Sequence, residues 1–189
     1  MKVRESGMPH EEMWNSFFDA KLILEKLELD ESINDVVEFG SGYGTFTIPA
    51  AAKIKGNIYA FDIEPEMIKS LRDKITDNNL SNIKIINKDF LKDGTGLEDN
   101  SVDYVMLFNI LHAEEPVELL KESYRILKAK GKVGIIHWIY SHDTPRGPSM
   151  EIRPTEQQCI NWAKTSGFDI LQEPFSLPPY HYGIIGIKQ

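Results

Sequence analysis

One cysteine, Cys159, stands in 189 residues, which excludes an internal disulfide framework and a multi-thiolate metal cluster. No metal site is expected. Long apolar runs are missing too: none approaches the roughly 18 residues that cross a bilayer. The opening Met1-Lys2-Val3-Arg4-Glu5-Ser6 lacks the apolar core of a signal peptide, so the expected location is cytoplasmic and no membrane partner is expected. Positive charge is scarce, 21 Lys and Arg against 29 Asp and Glu, a formal net charge of −8. That balance argues against broad contact with a nucleic-acid backbone, which needs cationic side chains to release counterions. What remains is an ordinary composition, 41% hydrophobic and 26% charged. A single domain of this length buries roughly two-thirds of its unfolded surface.

The chain is organised around residues 36–44, Val-Val-Glu-Phe-Gly-Ser-Gly-Tyr-Gly. A short apolar strand runs into three glycines at alternate positions, and Thr45-Phe46-Thr47-Ile48 then opens a helix. Glycine permits backbone angles closed to other residues and lets a ligand approach the main chain. A helix N-terminus adds N–H donors and the positive end of a dipole. Three ligands suit such a turn. A phosphate-cradling loop needs a Gly-Lys-Ser/Thr ending, but Thr45 and Phe46 follow Gly44. A dinucleotide site prefers G-x-G-x-x-G, and here the third glycine comes one residue early. The third ligand, S-adenosylmethionine, needs donors for a single carboxylate, and Glu38 stands where its ammonium would lie.

Residues 57–61 form a second strand ending on Asp62, at the place where an α/β nucleotide site grips ribose hydroxyls, about 20 residues beyond the glycine turn. A third strand, 83–87, leads to Asp89 and Phe90, an acid and an aromatic suited to an adenine pocket. Gly94-Thr95-Gly96 is a decoy, explained by turn chemistry alone. The fourth strand, 103–108, reads into Asn109-Ile110-Leu111-His112. A helix follows from Glu114, closed by Arg125, Lys128 and Lys130 and terminated at Gly131. The fifth strand is expected at 132–138, and residues 139–154, with Pro145, Gly147, Pro148 and Pro154, read as a long loop. After a helix over 155–166 come a sixth strand at 168–171 and a seventh at 183–188. Their connection is too short and proline-rich for a crossover helix, so the pair should be antiparallel. Leu177-Pro178-Pro179-Tyr180 superficially matches a Pro-Pro-Tyr signature of nucleic-acid amino-methylases, but it lies in the wrong place, far from the fourth strand.

Ahead of this body, Trp14, Phe17, Phe18, Leu22, Ile23, Leu24 and Leu27 predict a helix over 10–27 with a wide apolar face. The organisation expected is an N-terminal helical segment, 1–30, able to cover the site, followed by a ligand-binding domain, 31–189. Whether Pro49 sits in the first turn of its helix or kinks it stays open.

Residues 36–44, Phe61-Asp62, Asp89-Phe90, the run 98–103 into the fourth strand and 127–134 into the fifth together resemble the class I S-adenosylmethionine-dependent methyltransferases. Within them the chain is similar to the compact group that includes the quinone-biosynthesis enzymes. The resemblance implies an α/β protein, a three-layer, Rossmann-like seven-stranded sheet, mostly parallel with an antiparallel last strand. It also implies that Gly40, Ser41, Gly42, Tyr43 and Gly44 approach the methionine part of the cofactor. Asp62 and Ile63 would meet the ribose and its base, Asp89 and Phe90 the adenine, and Asn109 the underside. Little is inserted between strands, so no separate substrate domain is expected.

Methyl transfer from a sulfonium depends chiefly on holding the reacting atoms in line. If the acceptor must lose a proton, His112 is the first candidate base and His137 the second, since imidazole titrates near neutral pH. Trp14, Phe17, Phe18, His112 and Trp138 are the expected acceptor-binding side chains, for a small, partly apolar molecule. An NAD-dependent oxidoreductase and a cofactor-binding partner subunit without catalysis remain as alternatives. Oligomeric state, monomer or homodimer, is not legible.

Overall fold

A computed structural model of the chain describes residues 8–189. Of the expected N-terminal segment 1–30, residues 1–7 therefore lie outside the described residues.

Five parallel strands build the sheet: β1 (Val36–Phe39), β2 (Ile58–Asp62), β3 (Ile83–Asn87), β4 (Val102–Phe108) and β5 (Leu127–Trp138). Three more complete it: β6 (Asp169–Ile170), β7 (Phe175–Leu177) and β8 (His181–Ile187), in the order β3-β2-β1-β4-β5-β8-β6 with β7 also on β8. β8 runs antiparallel to β5, from Lys132 opposite Ile187 to Trp138 opposite His181. The expected reversal at the end of the chain is therefore present. Helices cover both faces, and so β1 is buried along its whole length.

One face packs Val37, Phe39, Val105, Leu107, Val133 and Ile135 beneath α6 (Pro116–Ile126) and α7 (Glu156–Thr165). The other packs Val36, Tyr104, Met106, Ile136 and Ile185 beneath α2 (Ala20–Lys26), α3 (Thr47–Ala51) and α4 (Pro65–Asp77). Tyr104 runs through this second layer, its hydroxyl donating to Leu27 O at 2.7 Å. No helix among the described residues is long and apolar enough to cross a membrane.

Several expectations need correction. The single N-terminal helix is two: α1 (Glu11–Asn15) and α2, separated where the Asp19 carboxylate accepts from Leu22 N at 3.0 Å and starts a new helix. In the stretch between the two helices Phe17 meets Trp138 and Tyr180, and Phe18 meets Phe46 and His181. The strand after α6 starts at Leu127, and so Lys128 and Lys130 lie in a bulged strand rather than at a helix end. Lys128 there pairs with Asp103 at 2.9 Å. The seven strands expected are present in one path, and β7 adds a short eighth pairing inside the last connection. A one-turn helix, α5 (Phe90–Asp93), follows β3 unannounced. Pro49 is the third residue of α3, within its first turn, where a missing N–H is tolerated. The Gly94–Gly96 turn is structural as read, with Thr95 N and Oγ1 donating to Glu122 at 2.8 and 2.6 Å.

Candidate active site

The carboxyl ends of β1, β2 and β4 carry the glycine turn and two acids. Gly40, Gly42 and Gly44 have φ of +74°, +52° and +80°, so the turn adopts a backbone that other residues rarely accept. A Cβ on Gly44 would lie 2.6 Å from Leu71 Cδ1, and one on Gly40 would lie 2.9 Å from Ile110 Cδ1.

The turn's N–H groups are less available than the sequence implied. Gly40 N and Ser41 N both donate to Phe61 O, at 2.9 and 3.0 Å, and Gly44 N donates to Ser41 O at 2.9 Å. Gly42 N donates to Asp62 Oδ2 at 2.8 Å. The helix that follows is only five residues long. Four of the turn's N–H groups are thus engaged within the fold, and side chains add further polar groups to the site.

Glu38 is one of them. It is 2% exposed and accepts from the Thr47 hydroxyl. Burial pushes its carboxyl up to about 8, against the Thr47 hydrogen bond and with a further push from Asp62. Asp62 is also buried, and burial raises its pKa despite N–H donors from Glu64, Gly42 and Ile63. Asn109 has φ +56° and its N–H donates to Ile136 O at 2.8 Å. Both atoms of its side-chain amide are buried without a hydrogen-bond partner among the described residues. A buried orphan amide is costly unless a ligand answers it.

On the adenine side, Asp89 caps α5, accepting from Lys92 N at 3.2 Å, and Ile63 is half-buried beside Asp62. Phe90 is committed to the core, 4.9 Å from the Phe39 ring and 6.3 Å from Phe61. It props the residues just before Gly40 and Asp62, a role its sequence position did not reveal.

His112 and His137, the two candidate bases, meet at the ends of β4 and β5, their ring centroids 5.6 Å apart. His112 is 5% exposed and His137 fully buried. Burial first, then the positive fields of His112 and His181, hold His137 well below the ordinary histidine pKa.

The expected aromatic residues also converge. Phe17 lies 5.3 Å from Trp138, and Phe18 lies 5.1 Å from Phe46. Trp14, half-buried, packs 4.9 Å from Phe18. Two members were missed: Tyr180, 6.0 Å from Phe17, and His181, held between Phe18 at 4.5 Å and Trp138 at 4.3 Å. Neither nitrogen of His181 has a hydrogen-bond partner among the described residues. The preceding residues reach across the glycine turn. Met8 Cε would meet a Gly42 Cβ at 3.0 Å, Tyr43 Oη donates to Pro9 O at 3.2 Å, and Thr45 Oγ1 donates to Asn15 at 2.6 Å. Lys74 ties the two together, bound to Tyr43 O and paired with Glu11.

This geometry has a matching class. The profile of the family described as Methyltransferase domain covers residues 36–131, just over half of the chain. The chain therefore belongs to the methyltransferase-domain family, and S-adenosylmethionine is the cofactor that membership brings. An uncharacterised methyltransferase-like protein of Schizosaccharomyces pombe is 34% identical over 124 residues, 65% of this chain and 44% of that protein. A demethylmenaquinone methyltransferase of Listeria monocytogenes is 28% identical over 144 residues, 71% of this chain and 60% of that one. The chain thus spans about half the length of these curated relatives. Among solved structures, a SAM-dependent methyltransferase from Aquifex aeolicus superposes with a TM-score of 0.84 at 23% identity, covering 95% of this chain and 94% of that one.

Proposed function

We propose that the chain transfers a methyl group from S-adenosylmethionine to a small, partly apolar acceptor by in-line displacement. The observation that carries this reading is the pairing of two surfaces at the strand ends. Glu38, Asp62 and the orphan Asn109 amide line one side, and His112, His137 and the aromatic cluster line the other.

The residues fit the cofactor chemically. Asp62 offers two carboxylate oxygens to vicinal hydroxyls, Glu38 a carboxyl to the ammonium, and Asp89 an acceptor for the adenine amine. Ile63 and Phe90 supply apolar surface nearby, and Gly40, Ser41, Gly42, Tyr43 and Gly44 allow close approach of the methionine part. The Asn109 amide can bond from beneath, which would answer its missing partners. The bound cofactor supplies a methyl already activated on a sulfonium. The protein's part is to hold the acceptor in line with it and to exclude water.

His112 is the candidate base for an acceptor that must lose a proton, and His137, kept neutral by burial, buttresses it. Trp14, Phe17, Phe18 and Trp138 form the acceptor surface. Residues 8–18 close over the glycine turn and act as the cover. The Listeria relative is named for demethylmenaquinone, a flat apolar ring, and the aromatic cluster is a surface of that kind. We take the chain to act in the cytoplasm, as a monomer or homodimer.

The test is calorimetric titration with S-adenosylmethionine, S-adenosylhomocysteine and NADH. Micromolar binding of the two sulfur compounds with none of NADH is expected. Binding of NADH alone would return the reading to an oxidoreductase. Cofactor binding without turnover of any flat acceptor would favour a partner subunit.

A further inference from the structure

Residues 139–155 form no helix or strand, yet one side chain holds them in shape. Arg153 Nε donates to Pro148 O at 3.0 Å, and Nη2 donates to Pro148 O at 2.8 Å and Arg146 O at 3.2 Å. Its Nη1 donates to Ile139 O, Ser141 O and Thr144 Oγ1 at 3.1, 3.0 and 2.7 Å. Every one of these acceptors is uncharged. The residue is 7% exposed, and no carboxylate among the described residues pairs with it. Its donors are answered, but its charge is not. A buried cation solvated only by dipoles leaves a positive field in whatever space adjoins it.

That space is a cavity of about 250 Å³, lined by Arg153, Arg146, His142 and the hydroxyl residues Ser141, Thr144 and Ser149. In a chain of net charge −8, a buried arginine that meets only uncharged acceptors beside one cavity runs against the overall sign. Asp143 accepts from the Ser141 hydroxyl at 3.2 Å, but it is exposed and outside the lining. The cavity adjoins the aromatic cluster. A Cβ on Gly147 would lie 2.7 Å from Arg153 Nη2 and 2.9 Å from Trp138 Cγ, so a bare glycine is all that separates the two side chains there.

We propose that this cavity is an oxyanion subsite that binds a carboxylate or phosphate group of the methyl acceptor, whose flat part lies against the cluster beyond Trp138. The term acceptor rests on the methyltransferase reading; the preference for an anion does not. Arg153 is itself buried, so its field reaches the cavity partly through protein rather than water, and one negative charge on the ligand changes affinity measurably.

The chain saturated with S-adenosylhomocysteine is titrated with benzoate, phenyl phosphate, benzamide and inorganic phosphate at constant ionic strength. A charged ring compound is expected to bind at least about tenfold tighter than benzamide, with inorganic phosphate competing. Whichever of benzoate and phenyl phosphate binds tighter identifies the anion. Ser149→Asp puts a carboxylate at the rim without replacing any acceptor of the Arg153 guanidinium, and it keeps the Ser149 carbonyl that accepts from Arg153 N at 3.0 Å. It should erase the preference while the melting temperature moves by less than about 2 °C. Equal affinity for charged and uncharged rings, binding of no charged probe, or a preference that survives Ser149→Asp overturns the proposal. Failure of S-adenosylhomocysteine to bind while benzoate is still preferred strikes the methyltransferase reading alone.

Discussion

At the glycine turn, polar groups answer one another. Gly40 and Ser41 share the Phe61 carbonyl, Gly42 donates to Asp62, and Glu38 holds the Thr47 hydroxyl. At the other end of the strand tops, around β5 and β8, His137 and His181 are buried with no hydrogen-bond partner on either nitrogen among the described residues. The first region is a scaffold whose shape precedes any ligand. The second keeps two imidazoles neutral chiefly by burial, with neighbouring positive charge adding to it, His181 at about 3 and His137 also far below its ordinary value. A ligand can be gripped by rearranging little in the first region, whereas in the second it would supply partners the protein lacks.

Substitutions in the two regions should therefore separate binding from turnover. The largest effect is expected for His112→Ala. Turnover with the true acceptor should fall about 10²- to 10⁴-fold, while S-adenosylhomocysteine affinity stays within about twofold. Steady-state kinetics beside calorimetry checks this, and unchanged turnover removes His112 from the chemistry. Next is Gly44→Ala. A side chain at φ +80° that also overlaps buried Leu71 should cost about 2–3 kcal/mol, a fall of roughly 5–10 °C in thermal melting. Asp62→Asn comes third. It should weaken S-adenosylhomocysteine about 10- to 100-fold through lost charge-assisted hydrogen bonds, and leave the aromatic cluster's near-ultraviolet signal intact.

The smallest effect is the pH dependence of stability, which has opposite signs in the two regions. Glu38 keeps its proton to about 8 in the fold but releases it near 4.5 when unfolded, so its contribution falls as pH rises through that window. His181 stays neutral down to about 3 in the fold but takes up a proton near 6.5 when unfolded, so its contribution falls as pH drops below 6.5. Melting curves from pH 4 to 9 should show Glu38→Gln flattening the alkaline fall and His181→Phe the acid one. A Glu38→Gln profile that still falls toward pH 8 would place the alkaline loss elsewhere.

The same division explains what was legible in the sequence. The strand, three glycines and Asp62 could be read because each is a local pattern, and β1 and β2 lie side by side in space as in order. His112 and His137 could be read singly as candidates at two strand ends, whereas their pairing shows only once β4 and β5 lie side by side. Tyr180 and His181 could not be read, because their partners Phe17 and Phe18 come from the far end of the chain. Only the antiparallel register of β8, which sets His181 opposite Trp138, brings them there. The split between α1 and α2 was hidden for a related reason. Apolar periodicity continues through Phe17 and Phe18, and tertiary packing overrides it. A signal did exist at Asp19, an N-cap residue in the middle of the run.

The place of β8 has a consequence for biosynthesis. It lies inside the sheet, between β5 and β6, yet translation delivers it after every other strand. Until residue 181 and those beyond it leave the ribosome, the free edge of β5 exposes Val133, Ile135 and Ile136 in a nascent chain that cannot close its sheet. Unpaired apolar edges of this kind are where newly made chains aggregate or recruit chaperones. Folding of the whole domain must wait for pairings of long sequence separation, the slow kind.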